Sequence, residues 1–350
     1  MKEESRKYRR CLVLAGGGGR LGVHLGTVAA AREAGLAPDV IVGTCGGALV
    51  AALVHAEPDP ARQLDFLGGP AMYRFWRGVR TRGAASVAAA AAAVVGRALD
   101  PRLAPRIPDL DRDALFEVIG AWPELEWRTA GERIDAVVLG ARLLYAPAQV
   151  GQVRAGRPLF EPVAIGSGRS AGLLAGAPAG HGAPAVAGAL ATRTPTDVTL
   201  ADAMRISLTD MIYLAPAEAA GERWLGGAVD LMPVELAARL ADEVWIDRKD
   251  AISRWTIAAA WRAVLGMDAR ARQRQVDATP VAVRIDHRGL ARAVPRSVLS
   301  RRLLLTPWGP RLDVHAPTDA ADYRRVIQAQ FDEGRRRAHA AIAAGSRERR

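Results

Sequence analysis

The stretch Val40 to Ala48, which reads Val-Ile-Val-Gly-Thr-Cys-Gly-Gly-Ala, constrains the fold of this chain more than any other. An apolar, β-branched run ends in Gly43-Thr44-Cys45-Gly46-Gly47, and a small-residue helical pattern follows. Such a spacing fits a buried strand that turns abruptly into a helix and leaves one side chain at the apex. Glycines two before and two after the apex remove the Cβ atoms that would collide there. The apex residue, Cys45, then stands at a helix N-terminus, where backbone N–H groups and the helix dipole favour a developing negative charge. The pattern is that of a G-x-S-x-G nucleophile elbow with cysteine in place of serine.

Half of the 350 residues are apolar, enough for a sizeable core. The net charge is +11 and comes almost wholly from arginine, since lysine stands only at Lys2, Lys7 and Lys249. A basic surface suits an anionic membrane or nucleic acid. No zinc-finger spacing, RNP-like run or helix-turn-helix signal supports nucleic acid as the partner. The two cysteines, Cys11 and Cys45, belong to no metal-binding cluster and form no disulfide framework, so no metal or other cofactor is expected. Met1 to Arg10 is charged and has no apolar leader run. Ala84 to Leu99 is too short, and too broken by Gly96 and Arg97, to span a bilayer. The expectation is a cytoplasmic protein with peripheral contact at the inner face of the membrane.

Along the chain, Cys11–Leu14 reads as a first buried strand, followed at once by Gly16-Gly17-Gly18-Gly19-Arg20 and a helix over Gly22–Ala34 ended by Gly35. Val40–Val42 is a second strand, and Ala48–His55 a helix stopped by Pro58 and Pro60. Residues 61–132 read as a helical insertion. Within it Phe66, Tyr73, Phe75 and Trp76 alternate with Arg74, Arg77, Arg80 and Arg82, either as an amphipathic cover for the sheet or as a basic aromatic surface for lipid headgroups. Ala88–Ala93 has high helix propensity, and Leu110–Ile119 is read as a further helix. Ile134–Leu139 is a central strand candidate, and residues 164–196, rich in Gly, Ala and Pro, read as a loose loop. Helices are expected over Thr199–Ile206, Val234–Leu240, Ile252–Leu265 and Tyr323–Ile342, and strands over Val244–Ile246, Val281–Ile285 and Arg302–Leu305.

Four glycines after a buried strand put bare N–H groups where an oxyanion or phosphate sits. The G-x-G-x-x-G spacing of a dinucleotide turn is missing, and no ribose-binding acid closes the second strand. Together with the elbow, these residues resemble the patatin-like phospholipase family. Its G-G-G-x-R/K-G oxyanion loop is matched by Gly16 to Arg20, with His24 and Gly26 fitting the helix behind it. Its G-x-S-x-G is matched at Gly43 to Gly47 except for Cys45. Its D-G-G, whose Asp completes a Ser–Asp dyad, falls on Leu225-Gly226-Gly227, so that Leu225 occupies the acid's position and Asp230 lies near the family's Asn. The segment Ile206-Ser207-Leu208-Thr209-Asp210 departs from the A-S-x-A-x-P consensus that precedes it.

The resemblance implies an α/β protein of patatin-like three-layer α/β/α fold, with a mainly parallel sheet and helical insertions. It places a patatin-like domain over residues 9–250 and a C-terminal extension over 251–345 packed on the same domain. It also implies an acyl-ester hydrolase or acyltransferase acting on a lipid, with Cys45 as nucleophile and the N–H groups of Gly17, Gly18 and Gly46 as oxyanion hole. A thiol at a helix N-terminus ionises readily. Without an acid at Leu225 the proton acceptor is open: no base at all, His24, or Asp230 through a reoriented turn. Arg20 either steadies the glycine loop or meets a lipid phosphate, or else is a solvated or helix-capping arginine. The alternative reading is a non-catalytic member that binds lipid or a partner, with Cys45 merely filling a tight turn and Asp230 serving as a turn residue.

Overall fold

The computed structural model describes residues 6–17, 19–82, 105–125, 133–180, 182–248, 252, 257–306 and 309–348. Its centre is a sheet in the order β11-β10-β1-β2-β5-β6-β7. The strands are β1 (Tyr8–Leu14), β2 (Val40–Gly43), β5 (Asp135–Leu143), β6 (Phe160–Gly166), β7 (Ala191–Arg193), β10 (Ala241–Arg248) and β11 (Val283–Asp286). A small antiparallel pair, β3 (Val79–Thr81) and β4 (Phe116–Val118), lies apart from it. A second pair, β8 (Ala217–Ala219) and β9 (Glu222–Leu225), joins it where β9 pairs with β5. β12 (Ser300–Thr306) and β13 (Gly309–His315) form a separate hairpin.

From β11 to β5 all neighbours are parallel, with Leu14 opposite Gly43 and Gly43 opposite Val138. β6 and β9 run antiparallel to β5. The sheet is thus mixed and mostly parallel, as the apolar runs without polar alternation require: a strand buried on both faces needs apolar residues at odd and even positions. Leu12, Leu14, Ile41 and Val138 belong to the core on one face. Cys11, Val13, Val40, Val42 and Val137 belong to the core on the other. The first face carries α1 (Leu21–Glu33), α2 (Gly46–Ala56) and the C-terminal helix Ala320–Glu348; the second carries Val234–Leu240 and Gly168–Leu174.

β1 begins three residues earlier than its apolar run, because Arg9 and Arg10 do not mark a free tail. Arg10 is buried, bonds Glu243 at 2.9 Å and lies 5.0 Å over the Trp245 ring.

Three segments differ from the sequence reading. The helix expected over Leu110–Ile119 is a turn followed by β4, because Phe116 and Val118 alternate with Glu117 and pair with β3, while Leu115 and Phe116 donate to the carbonyls of Ile212 and Tyr213. Residues 61–132 are therefore not purely helical: α3 (Pro60–Leu67) and α4 (Pro70–Gly78) lead into the β3–β4 pair. Residues 164–196 are not one loose loop. Ala164 to Gly166 finish β6, Ser167 caps the helix Gly168–Leu174, and β7 pairs with β6. The run Ala88–Ala93 lies outside the described residues.

Candidate active site

The elbow follows from local sterics. Cys45 has φ 50° and ψ −122°, a region that a residue with a Cβ rarely occupies. A Cβ on Gly43 would lie 2.6 Å from the Gly47 carbonyl oxygen, and one on Gly47 would lie 2.0 Å from that of Leu14. Both positions therefore exclude any side chain. The apex is held from the side as well: the Cys45 N–H donates to Ser207 Oγ at 3.0 Å, and Thr44 Oγ1 donates to the Leu231 carbonyl at 3.2 Å.

The carboxylate that faces the thiol belongs to Asp210. It follows the helix Leu200–Leu208, is buried, and accepts a hydrogen bond from Cys45 and another from the Ala228 N–H at 2.8 Å. Gly226 and Gly227 make room for this arrangement. A Cβ on Gly226 would lie 2.6 Å from Asp210 Oδ1, and one on Gly227 would lie 2.8 Å from the Cys45 nitrogen. Burial raises the Asp210 carboxyl to about 6, against the opposing pull of the Cys45 and Ala228 donors. Burial also pushes the Cys45 thiol well above its usual range, and the adjacent Asp210 carboxylate adds to that. The N–H groups of Gly46 and Gly17, which point at the sulfur, pull the other way without reversing it. The helix N-terminus alone therefore does not yield the readily ionised thiol expected of it; transfer of its proton requires a base.

The other sequence candidates lie as follows. Gly16 donates to the Leu231 carbonyl at 3.2 Å, and a Cβ there would lie 2.2 Å from Leu231 Cδ2. Gly18 lies outside the described residues. Arg20 is the N-cap residue of α1 and is partly buried. Leu225, at the end of β9, is fully buried in an apolar cluster with Ala141, Phe160 and Trp261. Asp230 is turned away from the thiol: its carboxylate accepts from Arg272 at 3.2 Å and from the Met232 N–H at 3.1 Å. His24 is buried with Nδ1 3.7 Å from Asp247 Oδ2, in the layer behind the glycine loop. Asp210 is the residue that sequence reasoning passed over. Its signal was available: it is the only charged residue between Ile206 and Pro216.

A cavity of about 350 Å³ opens at the thiol. Gly16, Gly17, Cys45 and Asp210 form its reactive end. Phe75 and Trp76 of α4, Val79 and Phe116 of the small sheet, and Tyr213 and Trp261 are among its walls. Phe75 and Trp76 of α4 thus belong to the core on the α2 face and line this space, while Arg77 of the same helix stacks on Tyr73. Among the described residues, Asp210 is the one charged group in the lining. Among the described residues no group of three or more His, Cys, Asp or Glu is arranged to hold a metal ion.

A strand–elbow–helix turn with a glycine-loop N–H group opposite it, in a mostly parallel sheet covered on both faces, is the architecture of α/β proteins built around a nucleophile elbow. The patatin-like phospholipase family model matches residues 12–238, and the chain belongs to that family, one of lipid acyl hydrolases. No curated protein matches it. The crystal structure of VipD from Legionella pneumophila is similar over 96% of this chain and 67% of that one, at 11% identity and a TM-score of 0.36.

Proposed function

We propose that this chain is a lipid acyl-ester hydrolase in which Cys45 and Asp210 replace the Ser–Asp pair implied by the family motifs. The observation that carries the reading is the hydrogen bond between the Cys45 thiol and the buried Asp210 carboxyl, beside two N–H groups aimed at the sulfur. Asp210, ionised above pH 6, accepts the thiol proton as Sγ attacks the ester carbonyl. The Gly17 and Gly46 N–H groups stabilise the oxyanion. Collapse breaks the carbon–oxygen bond, Asp210 returns its proton to the leaving alkoxide, and an acyl thioester remains on Cys45. Water, deprotonated by Asp210, then attacks the thioester carbonyl. Collapse breaks the carbon–sulfur bond, Asp210 returns the proton to the departing Cys45 thiolate, and the acid is released; an alcohol in place of water gives acyl transfer.

The cavity supports a single long acyl chain as the recognised group. Its walls are apolar and aromatic, and among the described residues no Lys, Arg or His lines it to hold a phosphate. The +11 charge supports encounter with the substrate at an anionic lipid surface. The alternative of a binding-only member rested on the missing acid at Leu225, and Asp210 supplies a carboxylate from another segment.

The test is turnover of p-nitrophenyl esters of graded chain length, with intact-mass detection of the acylated protein. The expected result is a preference for long chains over acetate, and an acyl adduct on wild type that Cys45→Ala lacks. A wild type without adduct or turnover at any chain length would overturn the reading in favour of binding alone.

A further inference from the structure

The glycine loop is held by a part of the chain outside the residues that match the family. α1 starts at Leu21 with Arg20 as its N-cap residue, and no side chain of that residue accepts the free N–H groups of the first turn. Such groups need partners when buried. Gln330, on the C-terminal helix and 1% exposed, supplies one. Its Oε1 accepts the Gly22 N–H at 3.2 Å, while its Nε2 donates to the Gly19 carbonyl at 2.9 Å. One amide therefore bridges the last turn of the glycine loop and the first turn of α1. Ser297 Oγ donates to the same Gly19 carbonyl at 3.3 Å.

The bridge requires close approach of two backbones. A Cβ on Gly22 would lie 2.4 Å from the Ile327 carbonyl oxygen and 2.7 Å from Gln330 Cβ. Gly19 has φ +83°, so its carbonyl is turned in a way that an L side chain disfavours. Gly17, whose N–H points at the Cys45 sulfur, lies two residues before that turn. On the other flank the loop is fixed by Ala15, whose N–H donates to Asp247 Oδ1 at 3.0 Å, and by the bond from Gly16 to Leu231.

We infer that Gln330 is a positioning residue for the oxyanion hole: by bonding Gly19 and Gly22, the C-terminal helix anchors the α1 end of the glycine loop and so keeps the Gly17 N–H aimed at the reacting carbonyl. The catalytic consequence rests on the acyl-transfer reading above; the clamp itself does not. A displacement of about 1 Å in such a group costs on the order of 10²-fold in rate.

The test uses the full chain with Gln330→Met, close in volume but without the two hydrogen bonds, and Ile342→Ala, a buried change on the same helix away from the loop. Ser297→Ala serves as the milder second variant. Hydrogen exchange of the segment 16–22 is compared with that of α2. In parallel, binding of a long-chain trifluoromethyl ketone, to which Cys45 adds so that an oxyanion forms, is compared with binding of an alcohol of the same chain length. For Gln330→Met, exchange in 16–22 is expected to rise about tenfold, and the ketone to weaken about tenfold against the alcohol. Ser297→Ala is expected to shift both the same way by less, and Ile342→Ala to leave both ratios unchanged. Unchanged exchange in Gln330→Met and Ser297→Ala overturns the clamp. Raised exchange with an unchanged ketone-to-alcohol ratio overturns its role at the oxyanion hole. A wild type that binds the alcohol but never adds to the ketone sinks the acyl-transfer reading instead, and the exchange result alone then decides the clamp.

Discussion

Asp210 is at once the proposed base and a destabilising charge. In an unfolded chain an aspartate titrates near ~3.9, whereas burial holds this one at about 6. Between those values the folded state binds the proton more tightly, so folding stability falls as pH rises through the window and stays lower above it. A gap of about two units corresponds to roughly 3 kcal/mol. Asp210→Asn is therefore expected to be more stable than wild type at pH 8, by about 1–3 kcal/mol in urea unfolding, and to lose most of that advantage at pH 4. Leu225 gives the opposite case. Restoring the family acid with Leu225→Asp puts a carboxylate among Ala141, Phe160 and Trp261. The expected result is a loss of about 3 kcal/mol or more with no gain in turnover, measured by thermal unfolding and ester hydrolysis. Residue identity at Cys45 was readable from its flanking glycines, because the elbow is a local steric problem. Asp210 was visible as the lone charge between Ile206 and Pro216, but its pairing with Cys45 was not, because 165 positions separate the two in the sequence and only folding brings them together.

The elements around the site depend on places where only hydrogen fits. Gly47→Ala would drive a Cβ to 2.0 Å from the Leu14 carbonyl, in the fully buried end of β1. It is expected to destabilise the fold by about 3 kcal/mol or more and to shift the near-ultraviolet circular dichroism, a core-strain effect rather than a loss of chemistry. Gly26 and Gly334 play the same part between α1 and the C-terminal helix, where a Cβ would reach 2.1 Å from the Phe331 carbonyl and 2.3 Å from that of Val23. The strands β1, β2 and β10 and the helix Val234–Leu240 were legible because apolar runs and periodicity are local signals. The segment 164–196 was not, since its order comes from β7 pairing with β6 and from Leu174, Ala177 and Leu190 entering the core, none of which its small-residue composition reveals.

At the scale of the molecule, the part that matches the family is not the part that closes the sheet. A fragment ending at residue 238 lacks β10, which pairs with β1 at the centre of the sheet, and also lacks the C-terminal helix along α1. That fragment is expected to be insoluble or to lack a cooperative unfolding transition, in contrast to the full chain. A second long-range tie is the buried Arg272, which bonds Asp230 at 3.2 Å and Glu235 at 2.6 Å and so fixes the turn carrying Leu231 against the glycine loop. Arg272→Met leaves Asp230 buried without its cation and is expected to cost about 3–5 kcal/mol by urea unfolding. Asp230 was visible in the sequence as the acid nearest the family's dyad, but its partner lies on a helix that no motif covers. Among the described residues no helix is long and apolar enough to cross a membrane. If lipid is met through the arginine-rich surface, hydrolysis of anionic vesicles is expected to fall as salt is raised, while hydrolysis of a soluble ester stays unchanged.

The pairing of Cys45 with Asp210 is tested most directly by the pH profile of kcat/KM for a long-chain p-nitrophenyl ester, in wild type and in Asp210→Asn. The expected wild-type profile rises through an acid limb near pH 6, where the buried carboxyl titrates. The expected variant loses that limb and about 10²–10⁴ of the rate at pH 8 while remaining folded. A variant that keeps the wild-type rate at pH 8, or a wild-type profile without a limb near 6, would contradict the pairing.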